Sequence, residues 1–260
     1  RPAEQLDWML GQGVSVSMYM FHGGTNFWYM NGANTAGGYR PQPTSYDYDA
    51  PLGEWGNCYP KYYAFREVIQ KHLPHGTVLP EVPADNPTTT FATIELKESA
   101  PLQATFHQTT ESENVLSMED LGVDFGYIHY QTTINKAGKQ KLIIQDLRDY
   151  AVILVDGKQV ASLDRRYNQN NVMLDIQKAP ATLEILVENT GRVNYGPDIL
   201  FNRKGITNQV LCGDEKLTGW SITPLPLYKE KVSEMNFGES IQGKPAFHKG
   251  IFTVRQKGDC

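Results

Sequence analysis

The stretch Tyr19–Leu52 reads YMFHGGTNFWYMNGANTAGGYRPQPTSYDYDAPL and is the most informative part of the chain. It continues from an almost uncharged segment, Val14–Phe21, which is typical of a strand buried on both faces. The rest of the stretch has no helical or strand period, and a loop this long is uncommon in a compact domain unless it is functional. Its aromatic, amide and phenol groups suit a sugar ring, which has apolar C–H faces and a polar rim. We therefore expect a functional loop carried by a rigid scaffold.

The overall charge and hydropathy exclude two classes of protein. The net charge of the 260 residues is -5, with no basic cluster of the kind that binds nucleic acid. Mean hydropathy is -0.44, and no apolar run approaches the roughly 20 residues of a membrane span. We expect no nucleic-acid partner and no membrane insertion.

Three cysteines, Cys58, Cys212 and Cys260, lie far apart and form no CxxC pair. The sequence does not decide whether Cys58 and Cys212 form a disulfide, although it favours two free thiols. None of the six histidines has metal-ligand spacing, so we expect no metal and no cofactor.

Residues 1–74 have the pattern of one helix–strand–loop–helix unit. Pro2–Leu10 predicts a helix because proline suits the first turn, and Lys61–Leu73 predicts a second amphipathic helix. Val14–Phe21 is the single predicted strand between them. One strand cannot pair its own backbone groups, so we expect an α/β barrel remnant, the last βα unit of a (β/α)8 barrel whose other strands lie upstream. Sites in such barrels lie in loops at the carboxyl ends of strands.

The remainder of the chain predicts β-structure. Residues 75–90 contain three prolines and no period, which indicates a linker. Residues 91–227 contain short alternating runs, with Asp156-Gly157 as the strongest hairpin signal, and predict an all-β sandwich. Residues 228–260 predict the start of a second β domain, with a strand at Ala246–Arg255. The strands predicted within the sandwich are Phe125–Ile134, Lys141–Gln145, Ala151–Val155, Lys158–Leu163, Asn171–Ile176, Thr182–Val187 and a run over Val210–Leu227.

Three segments of this sequence resemble glycoside hydrolase family 35, the β-galactosidases. They are MYMFHGGTNFWYMNGAN at Met18–Asn34, QPTSYDYDAPL at Gln42–Leu52 and VENTGRVNYG at Val187–Gly196. TSYDYDAPL is too long and unusual a match to arise by chance, and the resemblance covers nearly all of the chain in order. It implies an internal fragment, namely the end of the catalytic barrel followed by the first β-domain.

The resemblance also implies a chemistry. A retaining glycosidase uses two carboxylic acids about 5 Å apart. In the family both are glutamates on earlier barrel strands, so we expect this fragment to be inactive while its parent removes terminal non-reducing β-D-galactose. The resemblance implies no cofactor and suggests a secreted, periplasmic or lysosomal setting. The absence of an N-glycosylation acceptor favours a bacterial source.

The resemblance assigns substrate-binding roles to tyrosines of the loop. Tyr48 matches a family tyrosine that hydrogen-bonds the galactose ring, and Tyr19 matches one that borders the same pocket. Tyr46 is adjacent, and alternation in an extended segment would place Tyr46 and Tyr48 on one side. Asp47 and Asp49 would then lie together on the other side, as a pair that could be catalytic, but acidic residues in such loops more often bond local backbone groups.

Other residues in the loop are weaker candidates for a functional role. Residues 23–26, GGTN, predict a tight turn rather than a phosphate cradle, because they lack a lysine and a following helix, and Asn26 could reach a sugar hydroxyl. His22 is an alternative acid/base, though a lone histidine is more often structural. Trp28 and Tyr29 are either ordinary core or the aglycone side of the pocket.

Two further alternatives concern the β part of the chain. Arg192, Asn194 and Tyr195 indicate a buried polar turn, which we expect to dock the β-domain against the barrel rather than to contact sugar. A rival function is a non-catalytic carbohydrate-binding protein whose sandwich binds sugar.

Overall fold

The computed structural model describes residues 1–27, 31–255 and 258, and these fall into two units. The first comprises Arg1–Phe27, Pro43–Ile94 and the described residues from Phe252 onward. The second comprises residues 31–42 and Glu95–Ile251. In chain order, the elements are α1 (Pro2–Gly11), β1 (Gly32–Asn34), β2 (Arg40–Pro41), α2 (Pro60–His72), β3 (Glu98–Pro101), β4 (Thr110–Ser112), β5 (Tyr127–Ile134), β6 (Gly138–Ile144), β7 (Leu147–Arg148), β8 (Tyr150–Val155), β9 (Lys158–Asp164), β10 (Asn171–Ile176), β11 (Ala181–Glu188), β12 (Arg192–Tyr195), β13 (Gly205–Ile206), β14 (Val210–Cys212), β15 (Glu215–Lys216), β16 (Trp220–Leu225), α3 (Lys229–Ser233) and β17 (Ala246–Lys249).

The two helices of the first unit confirm the sequence prediction within one residue at each end. Helix α1 starts at Pro2, and proline is tolerated there because an N–H in the first turn has no hydrogen-bond acceptor within the helix. The helix buries Leu6. Asp7 of α1 lies 2.8 Å from Lys71 Nζ and 2.5 Å from His72 Nε2 of α2. These hydrogen bonds join the two helices and lower the pKa of Asp7, with the bond from Lys71 the largest cause.

The predicted strand Val14–Phe21 is not found in the structure. The first regular pairing after α1 is a single parallel bridge between His22 and Leu52, with the Leu52 amide donating to the Phe21 carbonyl at 3.0 Å. A segment counts as a strand only when a neighbour pairs with it, and the described residues place no strand beside 14–21. The barrel remnant is therefore not confirmed.

The second unit contains the predicted all-β sandwich. A six-stranded antiparallel sheet runs in the order β4-β16-β5-β11-β8-β9, and a four-stranded sheet runs β10-β6-β14-β15. Both sheets contribute side chains to one core, among them Tyr130 of β5, Leu142 of β6 and Ile185 of β11. Trp220 is fully buried in it and packs edge-on against Tyr130 with 6.2 Å between ring centroids. The period-two alternation in these strands thus matches the buried face, as expected.

The predicted hairpin at Asp156-Gly157 is confirmed. Val155 pairs with Lys158 across a two-residue turn, and Asp156 and Gly157 have φ of 48° and 72°. Positive φ at both central residues is the type I′ geometry that matches the twist of the flanking strands.

The middle of the Tyr19–Leu52 loop belongs to the second unit. Strand β1 pairs in parallel with β12 and antiparallel with β2, and Ala33, Tyr39 and Val193 form a small buried cluster. The segment Arg192–Tyr195, which we expected to be a polar turn, is the strand that receives β1.

The predicted domain limits at 74/75, 90/91 and 227/228 stay predictions. Residues 75–90 contain no helix or strand. The predicted strand Ala246–Arg255 is present as Ala246–Lys249, where it pairs antiparallel with Glu98–Pro101. Cys58 and Cys212 are free thiols, which settles the open pairing. No helix among the described residues is both long and apolar enough to cross a membrane.

Candidate carbohydrate site

The three tyrosines singled out from the sequence lie together in the first unit. The hydroxyl groups of Tyr19 and Tyr46 are 3.5 Å apart. The rings of Tyr46 and Tyr48 lie 4.7 Å apart between centroids and are tilted by 48°. Tyr19 is 86% exposed and Tyr48 is 75% exposed, so both present ring and hydroxyl to solvent. We refer to Tyr19, Tyr46 and Tyr48 as the tyrosine cluster.

Pairing between two loop segments positions the cluster. The Tyr46 amide donates to the Gly24 carbonyl at 3.0 Å, and the Asn26 amide donates to the Thr44 carbonyl at 2.7 Å. Gly23 has no room for a side chain, because a Cβ there would clash with the backbone of residues 46 and 47. Gly24 has φ of 75°, and Thr25 forms an antiparallel bridge with Ser45, so the predicted tight turn stays a prediction. The motif GGTN is therefore a close-packed support for Tyr46.

The carboxylate of Glu54 links the same two segments. It accepts hydrogen bonds from the hydroxyls of Thr25, at 3.2 Å, and Ser45. His22 Nε2 lies 3.3 Å from the Glu54 carbonyl oxygen. The side-chain amide of Asn26 donates to the Pro43 carbonyl at 2.9 Å. His22 and Asn26, which were alternative site residues, thus both hold the loop through local contacts.

The segment that carries Tyr48 is turned rather than extended. Tyr48 and Asp49 have φ of 55° and 51°, and the Ala50 amide donates to the Asp47 carbonyl at 3.1 Å. Tyr46 and Tyr48 still lie on one side, as their ring contact shows. Simple strand alternation does not produce this arrangement, because the chain reverses at residues 48–49.

Asp47 and Asp49 have structural contacts. The Tyr59 hydroxyl donates to Asp47 Oδ2 at 3.3 Å. Lys61, in the first turn of α2, donates to both the carboxylate and the carbonyl oxygen of Asp49. These contacts fasten the motif to the start of α2, as expected of acidic residues in such a loop.

The Tyr46 hydroxyl is neutral at physiological pH. The hydrogen bond with Tyr19 raises the pKa of Tyr46 to about 12, with burial and the nearby Tyr48 as smaller causes. A neutral phenol both donates and accepts a hydrogen bond. The Tyr46 hydroxyl can therefore pair with a sugar hydroxyl in either direction.

A buried ionic group in the second unit escaped the sequence analysis. Lys204 Nζ donates to Asp149 Oδ2 and to the Gly191 carbonyl, each at 2.6 Å. The Tyr39 hydroxyl lies 2.8 Å from the same Asp149 oxygen, and the Arg165 guanidinium lies 4.2 Å from the centre of the Tyr39 ring. We refer to Tyr39, Asp149 and Lys204 as the buried anchor, since it fixes residues 31–42 onto the sandwich.

Burial dominates the electrostatics of the anchor. It lowers the pKa of Lys204 to about 8, with Asp149 opposing the shift. It also raises the pKa of Tyr39 well above its ordinary value, with the charge of Asp149 adding to the effect. No pattern in the sequence pointed to this group, because its members are far apart along the chain.

The remaining predicted residues have other positions or lie outside the description. Arg192 donates to the Asp124 carbonyl at 2.8 Å and pairs with Glu119 at 2.7 Å, within the second unit. Trp28 and Tyr29 lie outside the described residues. No group of three or more metal-ligating side chains occurs among those that are described.

Family models match both units. Residues 1–72 match the model described as Glycosyl hydrolases family 35. Residues 115–226, which contain most of the sandwich, match the model described as Beta-galactosidase, first all-beta domain. Both models describe the class of the glycoside hydrolases. The match of residues 1–72 to glycosyl hydrolase family 35 agrees with the prediction made from the loop motifs.

Relatives with curated names agree with this family. The Beta-galactosidase of Xanthomonas manihotis is 40% identical over 256 residues, a match that covers 97% of this chain and 42% of that protein. The Beta-galactosidase of Mus musculus is 40% identical over 232 residues, covering 84% of this chain and 34% of that protein. The chain therefore spans well under half the length of both relatives. A solved GH2 beta-galacturonidase from Eisenbergiella tayi aligns with 52% of this chain and 26% of its own, at 19% identity and a TM-score of 0.31.

Proposed function

We propose that this chain supplies one wall of the sugar pocket of a retaining β-galactosidase that removes terminal non-reducing β-D-galactose from oligosaccharides or glycans. The observation that carries the proposal is the tyrosine cluster. Three phenols with two exposed rings are held by a motif that the family comparison matches. In this role Tyr48 and Tyr19 hydrogen-bond and border the galactose ring, and Tyr46 orients Tyr19.

The same proposal makes the isolated chain inactive. A retaining mechanism needs a nucleophile and an acid/base about 5 Å apart, both with accessible carboxyl oxygens. Near the tyrosine cluster, Asp47 is bonded to Tyr59, Asp49 to Lys61 and Glu54 to two loop hydroxyls. These contacts favour catalytic glutamates located elsewhere in a longer polypeptide.

The direct test is an assay of the 260-residue chain with p-nitrophenyl β-D-galactopyranoside. We expect no release of nitrophenol above the rate without protein. In parallel, nuclear magnetic resonance with ring-labelled tyrosine should show saturable shifts at Tyr19 and Tyr48 on addition of galactose, and smaller ones with glucose. Release of nitrophenol by the chain would contradict the expected inactivity. The absence of tyrosine shifts with both galactose and glucose would contradict the pocket assignment.

A non-catalytic carbohydrate-binding protein is the second candidate. Its support is the exposure of the aromatic rings in the tyrosine cluster, which suits sugar stacking without any carboxylate pair. Fusing the chain to the residues that precede its motif in a family 35 enzyme separates the two candidates. Recovered hydrolysis supports the enzyme, whereas unchanged binding without hydrolysis supports the binding protein.

A further inference from the structure

A cavity of about 470 Å³ lies on the outer face of the six-stranded sheet, in the second unit. Glu188 of β11 is paired in register with Tyr127 of β5 and with Tyr150 of β8. Their chain neighbours Val187 and Ala151 are wholly buried in the sandwich core. Since successive side chains point to opposite faces, the three paired residues form one row on the outer face.

Apolar residues form the rest of this cavity. Leu186 and Val152 extend the row along the sheet, and Leu102 packs against Leu186 in a second small hydrophobic cluster. The segment Pro245–Phe247, held by the pairing of β17 with β3, closes one side. An apolar floor with an aromatic row at its end is the usual composition of a small-molecule site.

A carboxyl group occupies the polar end of the cavity. Burial raises the pKa of Glu188, while a hydrogen bond with Tyr127 opposes the rise. A second cavity, of about 350 Å³, shares Tyr150 and Glu188 with the first and adds Pro41, Asp164, Arg166 and Thr190. The two cavities thus share a wall, and we call them together the outer cleft.

The charges around the outer cleft select among ligands. Asp164 and Arg166 pair with each other at 2.6 Å and largely cancel, which leaves Glu188 to disfavour an anion and Lys244 to disfavour a cation. A neutral ligand with an apolar face and several hydroxyls satisfies both the floor and the carboxyl group. Gln159, also at the wall, adds an amide that donates and accepts.

We propose that the outer cleft is a second saccharide-binding site, which takes a neutral sugar ring with its C–H face on the apolar floor and its hydroxyls toward Glu188 and Gln159. This site consists of residues of the second unit only and shares no residue with the tyrosine cluster. The inference does not rest on the proposed function, because it would stand if the chain belonged to a non-catalytic protein.

The test is a titration of the 260-residue chain, labelled with ¹⁵N, by methyl β-D-galactopyranoside, methyl β-D-glucopyranoside and choline. We expect saturable amide shifts around Tyr150, Gln159 and Glu188 with at least one sugar. Glu188→Leu should raise the dissociation constant for these shifts at least tenfold, whereas Tyr48→Phe should leave it unchanged.

Two further variants keep the test decisive if Glu188→Leu fails to fold. Tyr150→Phe and Gln159→Leu alter one polar group each and should each weaken the binding several-fold. Shifts confined to the tyrosine cluster would overturn the outer cleft as a sugar site while leaving the proposed function intact. Shifts with choline but with neither sugar, or none with any ligand at 50-fold excess over protein, would overturn it as well.

Discussion

Lys204 Nζ lies 2.6 Å from Asp149 Oδ2, and both side chains are almost wholly excluded from solvent. Removing the ammonium would leave the buried carboxylate with the Arg165 guanidinium, 2.9 Å from Oδ1, as its remaining cationic partner. Breaking such a pair from one side costs about 3–5 kcal/mol. We expect Lys204→Met to lower the free energy of unfolding of the second unit by about that amount, measured by urea denaturation followed by tryptophan fluorescence.

The matched control is Lys139→Met, at an exposed position of the same unit. It should change the free energy of unfolding by no more than about 0.5 kcal/mol. The double variant Lys204→Met/Asp149→Leu should recover part of the loss, because the carboxylate that Lys204 neutralises is removed with it, although Arg165 then loses its partner at 2.9 Å. A loss below about 1 kcal/mol for Lys204→Met alone would contradict the anchor.

Tyr39→Phe tests the contribution of the phenol to the same anchor. The Tyr39 hydroxyl lies 2.8 Å from Asp149 and 2.7 Å from the Gly191 carbonyl, and all three groups are buried. Both partners keep a hydrogen bond from Lys204, and a hydrogen bond to a charged group contributes about 1.5–3 kcal/mol. Urea denaturation should show this loss for Tyr39→Phe and none for Tyr167→Phe, whose ring is 68% exposed. Equal effects of the two changes would argue against a specific role for Tyr39.

Acid should destabilise the sandwich through Glu184. His129 Nε2 lies 3.0 Å from Glu184 Oε2, and this hydrogen bond is the largest cause that lowers the pKa of Glu184 below its ordinary value. A carboxyl whose pKa falls on folding adds stability above its unfolded pKa, and that stability is lost as pH falls through the lower folded pKa. The free energy of unfolding should therefore decline as pH falls below about 4.3.

The measurement for Glu184 is a urea denaturation series between pH 3 and pH 6. Glu184→Gln should make the decline shallower, and the exposed Glu113→Gln should not. If the wild-type chain and Glu184→Gln lose stability in parallel on acidification, the His129 contact has no such effect.

Tyr48→Phe tests the sugar pocket in an intact β-galactosidase that contains this segment. We expect the change to weaken galactose binding by about 1–3 kcal/mol, the cost of a polar group left unpaired in a closed site. Inhibition of hydrolysis by free galactose reports that affinity. Tyr63→Phe, on an exposed ring of α2, is the control and should have no effect. Unchanged inhibition by galactose in Tyr48→Phe would remove Tyr48 from the pocket.

The sandwich could be predicted from the sequence because its signals are local. Period-two alternation marks strands such as Tyr150–Val155, and Asp156-Gly157 marks the turn that follows. The apolar run Val14–Phe21 carried the same kind of signal and was misleading. A strand depends on a neighbour, and the described residues supply none beside it.

The site could be predicted only in part, for a related reason. The motif around Tyr48 is contiguous and was found, but its turned backbone at Tyr48 and Asp49 has no glycine to reveal it. The anchor was missed because Tyr39 lies 110 residues from Asp149 along the chain and Lys204 lies another 55 beyond. Contacts of this kind leave no period or motif in a single sequence.

The placement of residues 31–42 in the second unit limits how this protein can be dissected. A sandwich excised from Glu95 onward would lose β1, the parallel partner of β12, together with the phenol of Tyr39. The excision would expose the buried Lys204 and Asp149 to water. It would also leave the edge of β12 without its strand partner. An autonomous sandwich therefore requires residues 31–42 to be grafted back, for example by circular permutation ahead of β3.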